Sequence, residues 1–359
     1  MSASAEVEIV IPADHRVLIV GGAGFIGHHL ALALHERGAT ALVIDDLSVN
    51  HLNAHQEMSR PGVNRPLYTA IAQARLDLLA DEGIEVRHQS GRDVNQLSET
   101  LSEFAPHTVV QLAAISHASR SNADPHRAYQ NGMETLEATL EAIRRHPGSH
   151  LVYTSSSMVY GNFATPVVDE EAPCDPLGIY GALKFGGEVL IRAHSRVSGL
   201  EHTIVRPSAA YGPRCLGRRF IQTSIENAIA GMPLQVTGDG QELVDFTYID
   251  DLVQGLLRVI AVPDARGEII NITTGKAASL LEAAEIVMRR FEGSRLEHLP
   301  RSAAVPKRGT LDISKAQDLL GYQPRFTIET GVNATVDWYT ELSRQRPELF
   351  EIGAPIVNE

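Results

Sequence analysis

Arg16-Val17-Leu18-Ile19-Val20-Gly21-Gly22-Ala23-Gly24-Phe25-Ile26-Gly27-His28-His29-Leu30 is the stretch on which the fold of this chain turns. Val17 to Val20 is a short apolar run, the glycines follow as a turn, and Leu30 and Leu34 continue a helical rhythm that stops at Gly38. Ala41 to Ile44 then forms a second apolar run that ends in Asp45-Asp46, so the stretch reads as strand, turn, helix, strand. In that context glycines let a pyrophosphate approach the backbone N–H groups at the helix start. This makes Gly21, Gly24, Phe25, Ile26 and Gly27 the expected cradle of a dinucleotide. Asp45 stands 18 residues after Gly27, where a carboxylate accepts hydrogen bonds from the adenosine ribose, with Asp46 beside it. A carboxylate there repels a 2′-phosphate, so NAD is expected rather than NADP.

Working outward, further buried-strand candidates lie at Thr108 to Leu112, His150 to Thr154 and His202 to Val205, separated by amphipathic helical stretches. Alternation of this kind predicts an α/β fold, a Rossmann-type doubly wound parallel sheet. His51 to Gly83 is too long for an ordinary connection, and Tyr68 to Leu79 carries a helical apolar rhythm, so an inserted helix is expected there. Beyond Arg206 the alternation breaks up among Gly212-Pro213, Gly217, Gly231, Pro233, Gly238 and Gly240, which predicts a smaller C-terminal α/β substrate domain. The expected division is a loose extension over 1–15 and a dinucleotide domain over 16–207 with its insertion at about 51–83. A return segment at about 245–272 completes that domain, the substrate domain takes 208–244 and 273–345, and a tail covers 346–359.

Composition narrows the function. The chain of 359 residues is 43% hydrophobic and 21% charged, an ordinary globular balance. Its formal charge of −13 argues against a surface that tracks nucleic-acid phosphates. Cys174 and Cys215 are too few for a disulfide framework and lack metal-site spacing, so no metal is expected and the cytoplasm is the expected compartment. No run approaches the roughly 18 apolar residues of a membrane span.

The spacing Gly21-x-x-Gly24-x-x-Gly27 resembles the extended short-chain dehydrogenase/reductases, and further segments carry the likeness along the chain. Gln111-Leu112-Ala113-Ala114 is similar to the motif after the fourth strand, followed by Ser116-His117 and Arg120-Ser121. Thr154 to Gly161 resembles the Ser-rich motif of the fifth strand. Tyr180-Gly181-Ala182-Leu183-Lys184 supplies Tyr-x-x-x-Lys. Arg206-Pro207, Tyr211-Gly212-Pro213-Arg214, Gly238-Asp239-Gly240, Asp245 to Asp251 and Asn271-Ile272 extend the likeness to nucleotide-sugar enzymes over roughly Arg16 to Trp338. The resemblance implies NAD contacts from Leu112, Ala113, Ala114, Tyr180 and Lys184, and a catalytic set of Ser156, Tyr180 and Lys184. It implies substrate contacts from Ser116, His117 and Ser156, and a homodimer paired through the helix that carries Tyr180.

A phenol titrates near pH ~10, so Tyr180 needs help to act as a base. Lys184, four residues on and on the same helical face, is expected to lower its pKa. Tyr180 then takes a hydroxyl proton while NAD accepts a hydride, leaving a keto-sugar in the pocket, and Ser156 holds the reacting oxygen. Ser155 and Ser157 are expected only to satisfy local polar groups. Sugar-nucleotide 4,6-dehydratases resemble the chain but carry Asp-Glu where Ser157-Met158 stand, and decarboxylating relatives keep a Glu at the position of Met158. By subtraction the resemblance implies a nucleotide-sugar epimerase acting at carbon 4. Ala74-Arg75-Leu76 in the inserted segment also looks like UDP-glucuronate 4-epimerases.

Two positions depart from the family. Ala209 replaces an Asn that contacts the nucleotide-sugar, and Val244 replaces an Arg that meets the diphosphate. Arg214, Arg218, Arg219 and Arg308 are the candidate replacements, since guanidinium groups suit phosphate oxygens. The competing functions are an NAD-dependent dehydrogenase or reductase on another alcohol, a dehydratase or decarboxylase, and an NAD-binding protein without turnover.

Overall fold

The computed structural model describes residues 9–48, 64–115, 118–300, 306–351 and 356. Seven strands form its central sheet: β1 (Arg16–Val20), β2 (Thr40–Asp45), β3 (Glu85–His88), β4 (Thr108–Gln111), β5 (His150–Thr154), β6 (His202–Pro207) and β7 (Ile269–Ile272). All pair in parallel, in the order β7-β6-β5-β4-β1-β2-β3. The helices are α1 (Phe25–His35), α2 (Arg65–Asp81), α3 (Val94–Phe104), α4 (Ala118–Ala123), α5 (Pro125–Tyr129), α6 (Thr135–Arg145), α7 (Ile179–Ser198), α8 (Phe220–Ile229), α9 (Ile249–Ala261), α10 (Leu280–Arg290), α11 (Ser314–Leu320) and α12 (Ile328–Gln345).

Successive strand residues face opposite sides, so a sheet covered on both faces needs continuous apolar runs. Val17, Ile19, Val43, Val110, Val152 and Val205 point into one core, shared with Leu30 and Leu34 of α1 and Leu252 and Leu256 of α9. Leu18, Val20, Leu42, Ile44, Val109, Leu151 and Ile204 point into the other, against Leu97 and Leu101 of α3, Leu136 and Leu140 of α6 and Ile191 of α7. Strand β3 escaped the sequence reading because Glu85-Val86-Arg87-His88 is an edge strand with exposed residues and no apolar run.

The inserted segment forms α2, and Tyr68, Ile71, Ala72, Arg75 and Leu79 make up its buried side together with Leu67. Asn64 caps it by accepting from Leu67 N–H (3.2 Å). The end of the N-terminal extension differs from the loose segment expected. Ile11 is buried in the core, and the His15 ring stacks on His107 with centroids 5.0 Å apart.

After β6 the short strands pair outside the main sheet. Leu234–Thr237 runs parallel to Leu296–Leu299, and Leu243–Val244 runs antiparallel to Ala278–Ser279. The chain returns through α9 and β7 to complete the main sheet. The order of strands reverses between β1 and β4, and in such sheets ligands bind at the carboxyl ends of the strands beside that reversal.

Candidate active site

At the reversal point the loops after β1, β2 and β4 border one cleft. Gly21, Gly24, Phe25, Ile26, Gly27, Asp45, Asp46, Leu112, Ala113 and Ala114 all line it, whereas Tyr180 and Lys184, also expected at the cofactor, do not. Gly21 has φ +78°, and a Cβ there would lie 2.7 Å from the backbone of Ala113. Glycine therefore lets the loops after β1 and β4 close on each other. Helix α1 starts at Gly24 with no side-chain cap, which leaves its first N–H groups for an anion.

Asp45 is held from both sides. Ala23 N–H donates to its Oδ2 (3.0 Å) and Leu47 N–H to its Oδ1 (2.8 Å). Burial pushes its carboxyl up to about 6, with those two bonds opposing the shift. Asp46 accepts from Ser48 N–H (2.9 Å) and shapes the rim.

A narrow recess continues from the cleft through Ala114 and Ile115 to Tyr153, Tyr180, Leu183 and Lys184. Helix α7 packs closely on the turn after β5 at Gly181, where a Cβ would meet the Met158 carbonyl at 2.6 Å. Tyr180 stands in the first turn of α7 and is half-buried. Ser156 is hydrogen-bonded to its phenol and also accepts from Met158 N–H (3.2 Å) as the cap of a short helical turn.

Burial raises the Tyr180 pKa, while the charge of Arg219 and the bond to Ser156 act to lower it. This differs from the expectation that Lys184 is the cation acting on the phenol. Lys184 Nζ instead donates to the Thr154 carbonyl (2.7 Å) and lies 4.9 Å from the centroid of the Tyr153 ring. Burial brings its ammonium down to about 8, with Glu188 opposing.

Behind this centre lies a buried polar network. Arg206 donates twice to Glu188 (3.0 and 2.6 Å), and Ser155 donates to the same carboxylate (2.5 Å). Ser155 thus has the local role expected of it. Tyr160 donates to Asn271 Oδ1 (2.7 Å), and Arg206 sits 4.8 Å from the Tyr160 ring centroid.

The basic replacements scatter. Arg219 lines the cleft, together with Arg120. Arg214 is not among the cleft residues: its Nε donates to His28 (3.0 Å), and it borders a second cavity with Glu36, Asp250 and Arg325. Arg308 donates to Glu242 (2.8 Å) and does not line the cleft. Val244 is buried in its strand pair, and Ala209 sits at φ 36° against the core. Ser116 and His117 lie outside the described residues.

Sequence reasoning passed over Arg75, Gly91, Asn131, Thr135, Cys215, Leu216 and Gly217 as cleft residues. Asn131 belongs to a single turn of wider helix, Gln130–Glu134, inserted between α5 and α6, which no residue pattern signals. The cleft thus combines close-approach glycines, a helix start with no side-chain cap, the Asp45 carboxylate at the end of β2 and the buried Arg75 on its wall.

Comparison with known proteins agrees with this geometry. The model of the "NAD dependent epimerase/dehydratase family" matches residues 17–273. A dTDP-glucose 4,6-dehydratase from Actinoplanes sp. is 28% identical over 90% of this chain and 97% of its own length. An uncharacterized UDP-glucose epimerase, YtcB, from Bacillus subtilis is 29% identical over 91% and 98%. Among solved structures, UDP-glucuronic acid 4-epimerase from Bacillus cereus in complex with UDP-glucuronic acid and NAD superposes with a TM-score of 0.80 at 26% identity, covering 91% of this chain and 99% of the other. DesIV, a dTDP-glucose 4,6-dehydratase from Streptomyces venezuelae with NAD bound, gives 0.80 at 26% identity, covering 93% and 99%. The cofactor is NAD, and the chain is an enzyme that belongs to the NAD-dependent epimerase/dehydratase family.

Proposed function

We propose that the chain is a nucleotide-sugar epimerase acting at carbon 4, with Tyr180 as the acid/base. The observation that carries this reading is the absence of a free carboxyl group beside Tyr180 among the described residues. The recess is lined by Ala114, Ile115, Ser121, Ala128, Gly132, Tyr153, Tyr180, Leu183 and Lys184. Asp45 and Asp46 lie at the end of β2, and Glu188 is taken up by Arg206 and Ser155. Eliminating water from a sugar needs an acid and a base besides the tyrosine, and Ser157 and Met158 supply neither.

Bound NAD would supply the acceptor, and then the donor, of a hydride at the sugar carbon. The residues of this chain handle the proton. Tyr180 takes it from the hydroxyl oxygen, with the Arg219 charge and the start of α7 favouring the phenolate, and Ser156 steadies the reacting oxygen by hydrogen bonding. Tyr180 gives the proton back after the keto-sugar has turned its other face. Lys184, fixed on the Thr154 carbonyl, positions the cofactor.

Helices α5 and α7 support pairing as a homodimer, since Tyr129, Ile179 and Val189 expose apolar surface there. Light scattering that finds only monomer removes this part. Two free cysteines fit a reducing cytoplasmic setting.

The test is to incubate purified protein with UDP-, GDP-, CDP- and dTDP-sugars, without added NAD, and to follow the sugars by NMR. One sugar is expected to convert to its epimer with no net NADH. A second reading, oxidation or reduction of another alcohol, is favoured by Val244 being buried and Arg308 being paired with Glu242, which removes two phosphate contacts. It requires stoichiometric NADH change, which the same incubation registers by absorbance.

A further inference from the structure

The inserted helix α2 carries a charged side chain into the core of the protein. Arg75 is 1% exposed and shares its helix face with Leu67, Ile71 and Leu79. Its Nε (3.1 Å) and Nη2 (2.5 Å) both donate to the carbonyl of Arg214. Its Nη1 is buried and has no hydrogen-bond partner among the described residues.

A guanidinium nitrogen left open in the interior costs the desolvation of its N–H groups with nothing in return. The surroundings offset its charge only in part, with Asp45 favouring it and Arg214 opposing it. Arg214 and His28 are close by, and His28 is neutral there because burial holds its pKa well below the ordinary value. Asp45 is the nearby carboxylate, yet both of its oxygens accept from backbone N–H groups. Burial lowers the Arg75 pKa only to about 10, so the side chain stays charged at neutral pH.

Arg75 lines the NAD cleft with Gly24, Phe25 and Asp45 on one side and Gly217 on the other. The start of α1, which has no side-chain cap, opens on the same cleft. An uncapped helix start and an open guanidinium nitrogen therefore face one space, and both call for an anion.

We infer that Arg75 is a cofactor-binding residue whose Nη1 donates to a pyrophosphate oxygen of NAD. The same guanidinium grips the Arg214 carbonyl, so a bound dinucleotide is tied through one side chain to the segment that carries Arg219. The inserted helix thereby becomes part of the cofactor site, and loop 214–219 is ordered from the cofactor side before any sugar arrives.

The test compares wild type with Arg75→Met, each freed of NAD, by calorimetry with ADP-ribose and with adenosine, alongside the NAD content of each protein as purified. Loss of a charge-assisted hydrogen bond should weaken ADP-ribose about 10- to 100-fold and lower the retained NAD, while adenosine binding stays unchanged. Unchanged ADP-ribose affinity overturns the inference, as does an equal loss for adenosine. Should Arg75→Met fail to fold, a crystal structure of the wild-type protein with NAD decides. Arg75 Nη1 within hydrogen-bond distance of a phosphate oxygen is expected, and phosphates held by other groups alone overturn it.

Discussion

The two sides of Tyr180 are assembled by different physical rules. On the cofactor side, Gly21 is fixed by a backbone-to-backbone approach to Ala113 and Asp45 by two backbone N–H donors, so identity and position are constrained together. Among the residues proposed for the substrate side, Arg214, Arg219 and Arg308 are long side chains on irregular segments, and they end in three different places. A site built on backbone contacts is specified by which residue is allowed, whereas a site built on long cations is specified by where loops send them.

The largest effect expected lies at the seam between the two sides. Tyr180→Phe removes only the hydroxyl, and single-turnover rates on the true substrate should fall by about 10²–10⁴-fold while NAD content stays at the wild-type level. An undiminished rate with chemistry shown to limit it would break the assignment.

Next in size is the network behind the cofactor side. Glu188 is fully buried and Arg206 nearly so. Replacing Glu188 by Ala leaves an uncompensated buried guanidinium and should cost about 3–5 kcal/mol in urea unfolding. A loss within the range of ordinary surface substitutions would mean that the pair is not what holds β6 to α7.

The substrate side is sharpened by a matched pair of variants. Arg219→Ala removes a cation that lowers the Tyr180 pKa, so the limb of the kcat/KM profile that rises as the phenol deprotonates should move to higher pH. Arg214→Ala should leave that limb in place, because its side chain bonds to His28 outside the cleft. Equal shifts in both variants would show that the two arginines do not separate as described.

The smallest effect concerns the joint between α2, α8 and α12. Glu226 accepts from Tyr68 (3.0 Å), Tyr339 (2.9 Å) and Gln222 (2.8 Å), and burial raises its carboxyl from 4.5 to about 7. A raised folded-state pKa gives stability that is present in full below the unfolded value and lost as pH rises through the folded one. Wild type should therefore lose stability between pH 4.5 and about 7 by more than Glu226→Gln does, read as urea midpoints across that range. Identical slopes would contradict the buried carboxyl. Asp45 and Asp245, each raised to about 6, remain in both proteins and cancel in the comparison.

The sequence is legible where a local rule acts. The glycine turn and the carboxylate closing β2 can be read from local spacing, and both border the cleft, while Tyr180 and Lys184, singled out by the family resemblance, line the recess. It is illegible where neighbours distant in the chain decide. Arg75 lies on an apolar helical rhythm, where a charged residue reads as the solvent face, yet α2 turns that face inward. Arg214 and Arg218 adopt left-handed backbone, with φ of 62° and 45°, and these turns send Arg214 and Arg219 to different cavities. Neither is a residue type that announces such a turn. Spacing also does not tell what Lys184 bonds: its ammonium donates to the Thr154 carbonyl, and the charge that opposes the burial of the Tyr180 phenol is that of Arg219.

The central claim is that the missing carboxyl pair makes this family member an epimerase rather than a dehydratase. The direct measurement is an NMR time course of the converted nucleotide-sugar in deuterated water. Epimerisation at carbon 4 returns the same hydrogen to the carbon it left, so the account predicts a product that differs only in configuration and carries no deuterium on its ring carbons. Loss of water from carbons 5 and 6 takes up solvent hydrogen at carbon 5, so a 4-keto-6-deoxy product labelled there would contradict it.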